Sequence, residues 1–105
     1  ELQPLTVIKR NGEHEPFQRE KLLRGVINSC KKRPVSVSDM EQLAINVENA
    51  LTVTENFEVT YEQIGNLVMQ EQKKLDLVSY VRFASIYREF KEVDEFVDQI
   101  KTLDK

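Results

Sequence analysis

At 105 residues, with 15 basic and 18 acidic side chains and a net charge of −3, the chain has the size and composition of one helix-rich domain with one core. It contains no apolar run long enough to cross a bilayer and no signal-peptide pattern, since the first apolar cluster soon meets Lys9 and Arg10, so a cytoplasmic protein away from membranes is expected. A single cysteine, Cys30, and a single histidine, His14, exclude a disulfide within the chain, a cysteine zinc site and a multi-histidine metal centre.

The opening residues predict a small hairpin. Leu5–Lys9 has strand-type side chains, Asn11-Gly12 is a strong turn signal, and His14–Phe17 returns as a second short strand. A lone hairpin is barely stable in water, so it must lie on something else. From Arg19 the apolar period lengthens. Leu22, Leu23, Val26, Ile27 and Cys30 share a helical face, and the pattern stops at Lys31-Lys32-Arg33-Pro34, whose basic residues suit a carboxyl-terminal helical turn. A second helix is predicted from near Ser38, where Ser38-Asp39-Met40-Glu41 fits a capping box, with Met40, Leu43, Val47 and Leu51 inward.

Residues 52–58 form a polar break with a short extended piece at Phe57–Val59. Thr60-Tyr61-Glu62-Gln63 is a second capping-box match and opens a third helix with Ile64, Leu67, Val68 and Leu75 inward. Asp76 can cap a fourth helix through Val78, Val81, Phe83, Ala84 and Tyr87; this segment is apolar nearly all round and is expected at the buried centre. Val93, Phe96, Val97, Ile100 and Leu103 form a last stripe, which either completes the core or faces another subunit. The fold class is therefore mainly α (α+β), an N-terminal β-hairpin packed on a bundle of four to five helices. A single domain is expected over 1–105, with its core at about residues 5–98.

No enzyme signature appears. There is no nucleophile elbow, Walker loop or zincin motif, and Glu13 with Glu15 reads as surface charge rather than a catalytic pair. The charge is nevertheless uneven: residues 1–33 carry eight basic and four acidic side chains, the remainder seven and fourteen. That distribution suggests a local anion site rather than a broad nucleic-acid face. Lys9 and Arg10 precede the tight turn, and Lys21 lies in the first turn of the next helix, where free N–H groups and the dipole favour an anion. Arg19 and Lys21 oppose that dipole and require a compensating negative charge, which a bound polyphosphate would supply. On spacing alone, a solvated basic face is the simpler reading. Tyr80, Phe83 and Tyr87 share a helical face, with Phe83 read as core and Tyr87 able to bury its ring while its hydroxyl reaches a wet pocket. Cys30 reads as a core residue and His14 as exposed.

Taken together, Val7-Ile8-Lys9-Arg10-Asn11-Gly12, Glu15-Pro16-Phe17 and Arg19-Glu20-Lys21-Leu22 resemble the opening of an ATP-cone. This is the adenine-nucleotide regulatory domain of ribonucleotide reductases and of NrdR, the bacterial repressor family of their genes. Lys32–Ser36, Leu75–Arg88 and Phe90–Phe96 are similar to the repressor branch, and Gly65 stands where the reductase versions carry a histidine. The resemblance implies that Val7, Glu15 and Phe17 surround the adenine, that Lys9, Arg10 and Lys21 hold the phosphates, and that Leu22 and Tyr87 belong to the same nucleotide-binding set. Glu15 suits the adenine amino group because an ionised carboxylate is acceptor-only.

The resemblance further implies a non-catalytic sensor of ATP or dATP, taken with Mg and with no metal site of its own. The nucleotide would control self-association into oligomers. Operator DNA would be read by a four-cysteine zinc ribbon ending just before Glu1, and the outcome would be repression of reductase genes. Two rivals stand beside this expectation. One is the allosteric ATP-cone of a reductase large subunit; the other is a helical protein-interaction module that binds no nucleotide.

Overall fold

The computed structural model describes residues 4–103. Two short strands, β1 (Thr6–Ile8) and β2 (His14–Pro16), lead into helices α1 (Arg19–Ser29) and α2 (Val37–Leu51). A single 3₁₀ turn at Glu55–Phe57 then delivers a third strand, β3 (Glu58–Thr60), followed by α3 (Tyr61–Leu75) and α4 (Leu77–Leu103). The sheet order is β2-β1-β3, antiparallel on one side of β1 and parallel on the other.

The hairpin forms where Asn11-Gly12 predicts it. Gly12 takes a φ of +91°, open to glycine at no steric cost, and its N–H bonds the Lys9 carbonyl at 2.9 Å. The extended piece foreseen at Phe57–Val59 is displaced by one residue and becomes a sheet strand. Val59 lies beside Val7 in the parallel register and is completely buried. Burying such a side chain contributes roughly 1.5–3 kcal/mol, so packing holds a three-residue strand that its few backbone bonds alone would not.

The core is built around α2, whose Met40, Leu43, Ala44, Val47 and Leu51 are all buried. Val26 and Cys30 meet them from the α1 side, Val68 from α3, and Val7 and Val59 from the sheet. The buried stripe of α2 is the one its periodicity predicts, but the helix starts earlier. Ser36, not Ser38, is the N-cap, its hydroxyl accepting from the Asp39 N–H at 3.0 Å. The Thr60–Gln63 capping box of α3 is present in full.

Two expectations are overturned. The segment after Asp76 is not the central helix: Leu77 and Val81 are 63% and 57% exposed, and among the described residues of α4 Ser79 is the buried one. Only one side of α4 packs on α1 and α3, because α2 already fills the centre. Nor does a separate last helix follow. No glycine or proline interrupts residues 77–103, so α4 continues for 27 residues, about 40 Å of helix.

The basic run after α1 also has a different role from the one its position suggests. The helix ends at Ser29 with no basic residue in its last turn. Arg33 instead forms a fork onto Asp76, Nε and Nη2 each donating at 2.9 Å to one carboxylate oxygen. The same carboxylate caps α4 by accepting the Ser79 N–H at 2.9 Å. Asp76 therefore ties the α1–α2 connection to the start of α4, and Arg33, followed by the Ser79 N–H, holds its carboxyl down at about 2 against an ordinary 3.8. A carboxyl lowered in the folded state stabilises it fully above the unfolded value and loses that contribution as the pH falls toward about 2. In urea titrations, Asp76→Asn should lower the unfolding midpoint above pH 4, and the gap to the unaltered protein should close between about pH 4 and 2. A gap independent of pH would show that the charge is not what stabilises this junction.

Candidate functional site

Register places the site. Val7 pairs with Glu15 across the hairpin and with Val59 across the parallel side, so the three side chains share the sheet face turned to the helices. Val7 and Val59 fill the core, while Glu15, on the outer strand β2, is half-buried at its rim. β3 runs directly into α3, so Thr60 is both the last strand residue and the helix cap. Tyr61, the first residue of α3, thereby reaches Glu15 and donates a hydrogen bond from its hydroxyl to Oε1. Burial and then this bond push the Tyr61 hydroxyl up to about 12, so it remains a donor through the physiological range. Glu15 is correspondingly held below the usual carboxylate range, first by Tyr61 and then by the charges of Lys21 and Lys9. Ionised, it is an acceptor for an N–H or amino group.

Lys9 follows β1 directly and Lys21 lies in the first turn of α1; among the described residues neither has a carboxylate within ion-pair distance. Gln18, the N-cap of α1, places no side-chain acceptor on that helix end. Lys21 sits at that open helix start, where an anion gains from charge and from N–H donors together, and Lys9 acts on Glu15 from the end of β1. Arg19 does not belong to it. Its Nε donates to Glu48 of α2, so the compensation expected from a polyphosphate comes from within the fold. Arg10, at the tip of the turn, is also engaged, its Nε donating to Asp98 Oδ2 of α4 at 2.7 Å. Between the hairpin and α4 lies an open cleft of about 270 Å³, with Lys9, Arg10 and Tyr61 on one wall and Asp94, Asp98 and Lys101 on the other.

The remaining expected contacts are placed as follows. Val7 is 3% exposed and presents no side-chain surface in this conformation. Phe17 and Leu22 are half-buried against the core beneath Glu15 and Lys21 in sequence. Tyr87 packs its ring on α3 at Gly65, where an added Cβ would collide with the ring. Tyr61 and Gly65 are one turn apart on the same face of α3, so Tyr87 borders the turn that carries Tyr61. Tyr61 is the residue that sequence reasoning missed. Its one available signal was its place right after a capping threonine; its partner, 46 residues away, was not visible.

The model of the ATP cone domain matches residues 5–93. The chain belongs to the ATP-cone family. Within it the chain stands with the NrdR proteins: it is 52% identical over 100 residues to the transcriptional repressor NrdR of Alkaliphilus oremlandii, covering 95% of this chain and 65% of that protein. To its counterpart from Lysinibacillus sphaericus it is 48% identical over 100 residues, covering 95% and 64%. To that of Bacillus subtilis it is 46% identical over 102 residues, covering 97% and 67%. This ATP-cone thus spans about two thirds of the length of those relatives, which are named as repressors rather than as enzymes.

If Tyr61 positions the Glu15 carboxylate, Tyr61→Phe should raise the pKa of Glu15 while Lys21 and Lys9 continue to depress it. A carbon-detected NMR titration of the glutamate carboxyls would read this, and an unmoved Glu15 resonance would show that the hydroxyl does not govern it.

Proposed function

We propose that this ATP-cone is the nucleotide sensor of a bacterial transcriptional repressor of ribonucleotide reductase genes, taking ATP or dATP with Mg in the cytoplasm. The observation that carries the reading is the ionised Glu15, steered by Tyr61 and lying in the field of Lys9 and Lys21 beside the open start of α1. In this reading Glu15 accepts from the adenine amino group, and Lys9 and Lys21, whose charges act on it, take the phosphates. Phe17, Leu22 and Tyr87 supply apolar surface around the base, Val7 backs the strand that carries Lys9, and Arg10 joins Lys9 and Lys21 on the phosphates. The reading needs no catalytic group, since the chemistry is recognition alone.

ATP and dATP differ by one hydroxyl, so contacts in the pocket discriminate modestly unless a buried partner is left unpaired. A switch therefore needs each nucleotide to favour a different assembly. The surface proposed for assembly is the distal part of α4, where Phe90, Val93, Phe96, Val97 and Ile100 recur at helical spacing and are all exposed, Phe90 at 67%. Operator DNA would be read by a zinc ribbon elsewhere in the longer protein, because one cysteine cannot build such a site here.

Calorimetry with Mg-ATP and Mg-dATP should show binding that weakens roughly tenfold to a hundredfold in Lys9→Ala and in Lys21→Ala, the range expected for losing a charged hydrogen bond. Unchanged affinity in both variants would remove the phosphate assignment. Light scattering with each nucleotide in turn should give different masses; equal masses would remove control of assembly by nucleotide identity.

A further inference from the structure

Arg10 is expected on the phosphates, yet its guanidinium is already occupied. It donates at 2.7 Å to Asp98, 88 residues further along the chain. Asp94, Asp98 and Glu95 all lie close enough for their charges to act on Arg10. The same cleft sets Lys9, Arg10 and Tyr61 against Asp94 and Asp98. The carboxylates of α4 thus stand where negative charge would gather if a polyphosphate were gripped by Lys9 and Arg10.

Three further observations bear on what this contact does. Residues 90–100 of α4 are exposed throughout, and among the described residues Arg10–Asp98 is the one side-chain hydrogen bond or ion pair joining 90–103 to the rest of the chain. The pair is itself half exposed, 46% and 52% on its two side chains, and exposed ion pairs are weak and easily replaced. The cleft, at about 270 Å³, falls below the roughly 300–1,000 Å³ of ordinary small-molecule pockets. A triphosphate brings several negative charges to the cations that here face one or two carboxylates, so the phosphates win that competition and the like charges of Asp94 and Asp98 are then repelled.

We propose that Asp98, supported by Asp94, is an intramolecular stand-in for phosphate: it latches the distal half of α4 onto Arg10, and an arriving nucleotide triphosphate displaces it and frees that half of the helix. The inference rests on the nucleotide reading above and adds to it the route by which the occupied site is felt in α4. Coupling of this kind is reciprocal. Whatever the latch contributes to holding α4 it subtracts from nucleotide affinity, by the same factor.

The test pairs Asp98→Asn with Glu92→Gln, which removes a carboxylate from the same helix outside the cleft. Calorimetry with Mg-ATP should give about threefold to tenfold tighter binding for Asp98→Asn and no change for Glu92→Gln. Amide hydrogen exchange over residues 90–103 should quicken when ATP is added to the unaltered protein, and should already be quick without ATP in Asp98→Asn. Binding of ATP that is no tighter in Asp98→Asn, or that leaves exchange in 90–103 unchanged in the unaltered protein, overturns the latch and leaves the nucleotide site standing. Absence of ATP binding to the unaltered protein overturns both.

Discussion

The pairing of Val7 with Val59 is the contact on which the site depends. A two-stranded hairpin gains too little to persist in water, and here it is completed by a parallel strand arriving from more than fifty residues away. Both valines belong to the buried cluster that α1, α2 and α3 share, so the sheet and the helical core are one body. Because β3 ends at the residue that caps α3, the same pairing sets the start of that helix beside the hairpin and brings Tyr61 to Glu15. Without Val59 in register, the basic turn, the acidic residue and the tyrosine would have no common reference.

Around that frame the fold uses some of its cations structurally and leaves others to the site. Arg33 is spent on Asp76, Arg19 on Glu48, and Arg82 donates at 2.6 Å to the Lys31 carbonyl beyond the end of α1. Lys9 and Lys21 are held near Glu15 without an ion pair of their own among the described residues. The arginines suit the structural tasks because a planar fork fixes two groups at once, whereas a lysine ammonium is a mobile point charge able to follow a ligand. Arg10 stands between the two uses, paired with a carboxylate that a stronger anion can replace.

α4 joins two kinds of surface. Its first turns lie on α1 and α3 through Ser79, Phe83 and Tyr87, and its distal half turns Asp94 and Asp98 to the hairpin while Phe90, Val93 and Phe96 meet solvent. A monomer whose stability alone mattered would bury the apolar side. Here the apolar row stays in solvent, which forgoes hydrophobic burial, and Asp98 of the same segment makes a polar contact with the hairpin.

Much of this was legible in the residues. The α2 stripe from Met40 to Leu51, the Thr60–Gln63 box, the Asp76 cap and the Asn11-Gly12 turn are local signals, each decided within one or two helical turns or a single tight turn, and sequence alone determined them. The basic cluster at Lys9, Arg10 and Lys21 was equally visible, as was the ATP-cone pattern that runs through it. What sequence could not decide is which distant groups those residues meet. Arg19 with Glu48, Arg33 with Asp76, Tyr61 with Glu15 and Arg10 with Asp98 are separated by 29 to 88 residues, and chain spacing carries no information about such partners. Burial of α4 was misjudged for the same reason: an apolar face states that it must be covered, but only the tertiary structure decides by what, and here α2 had already taken the centre.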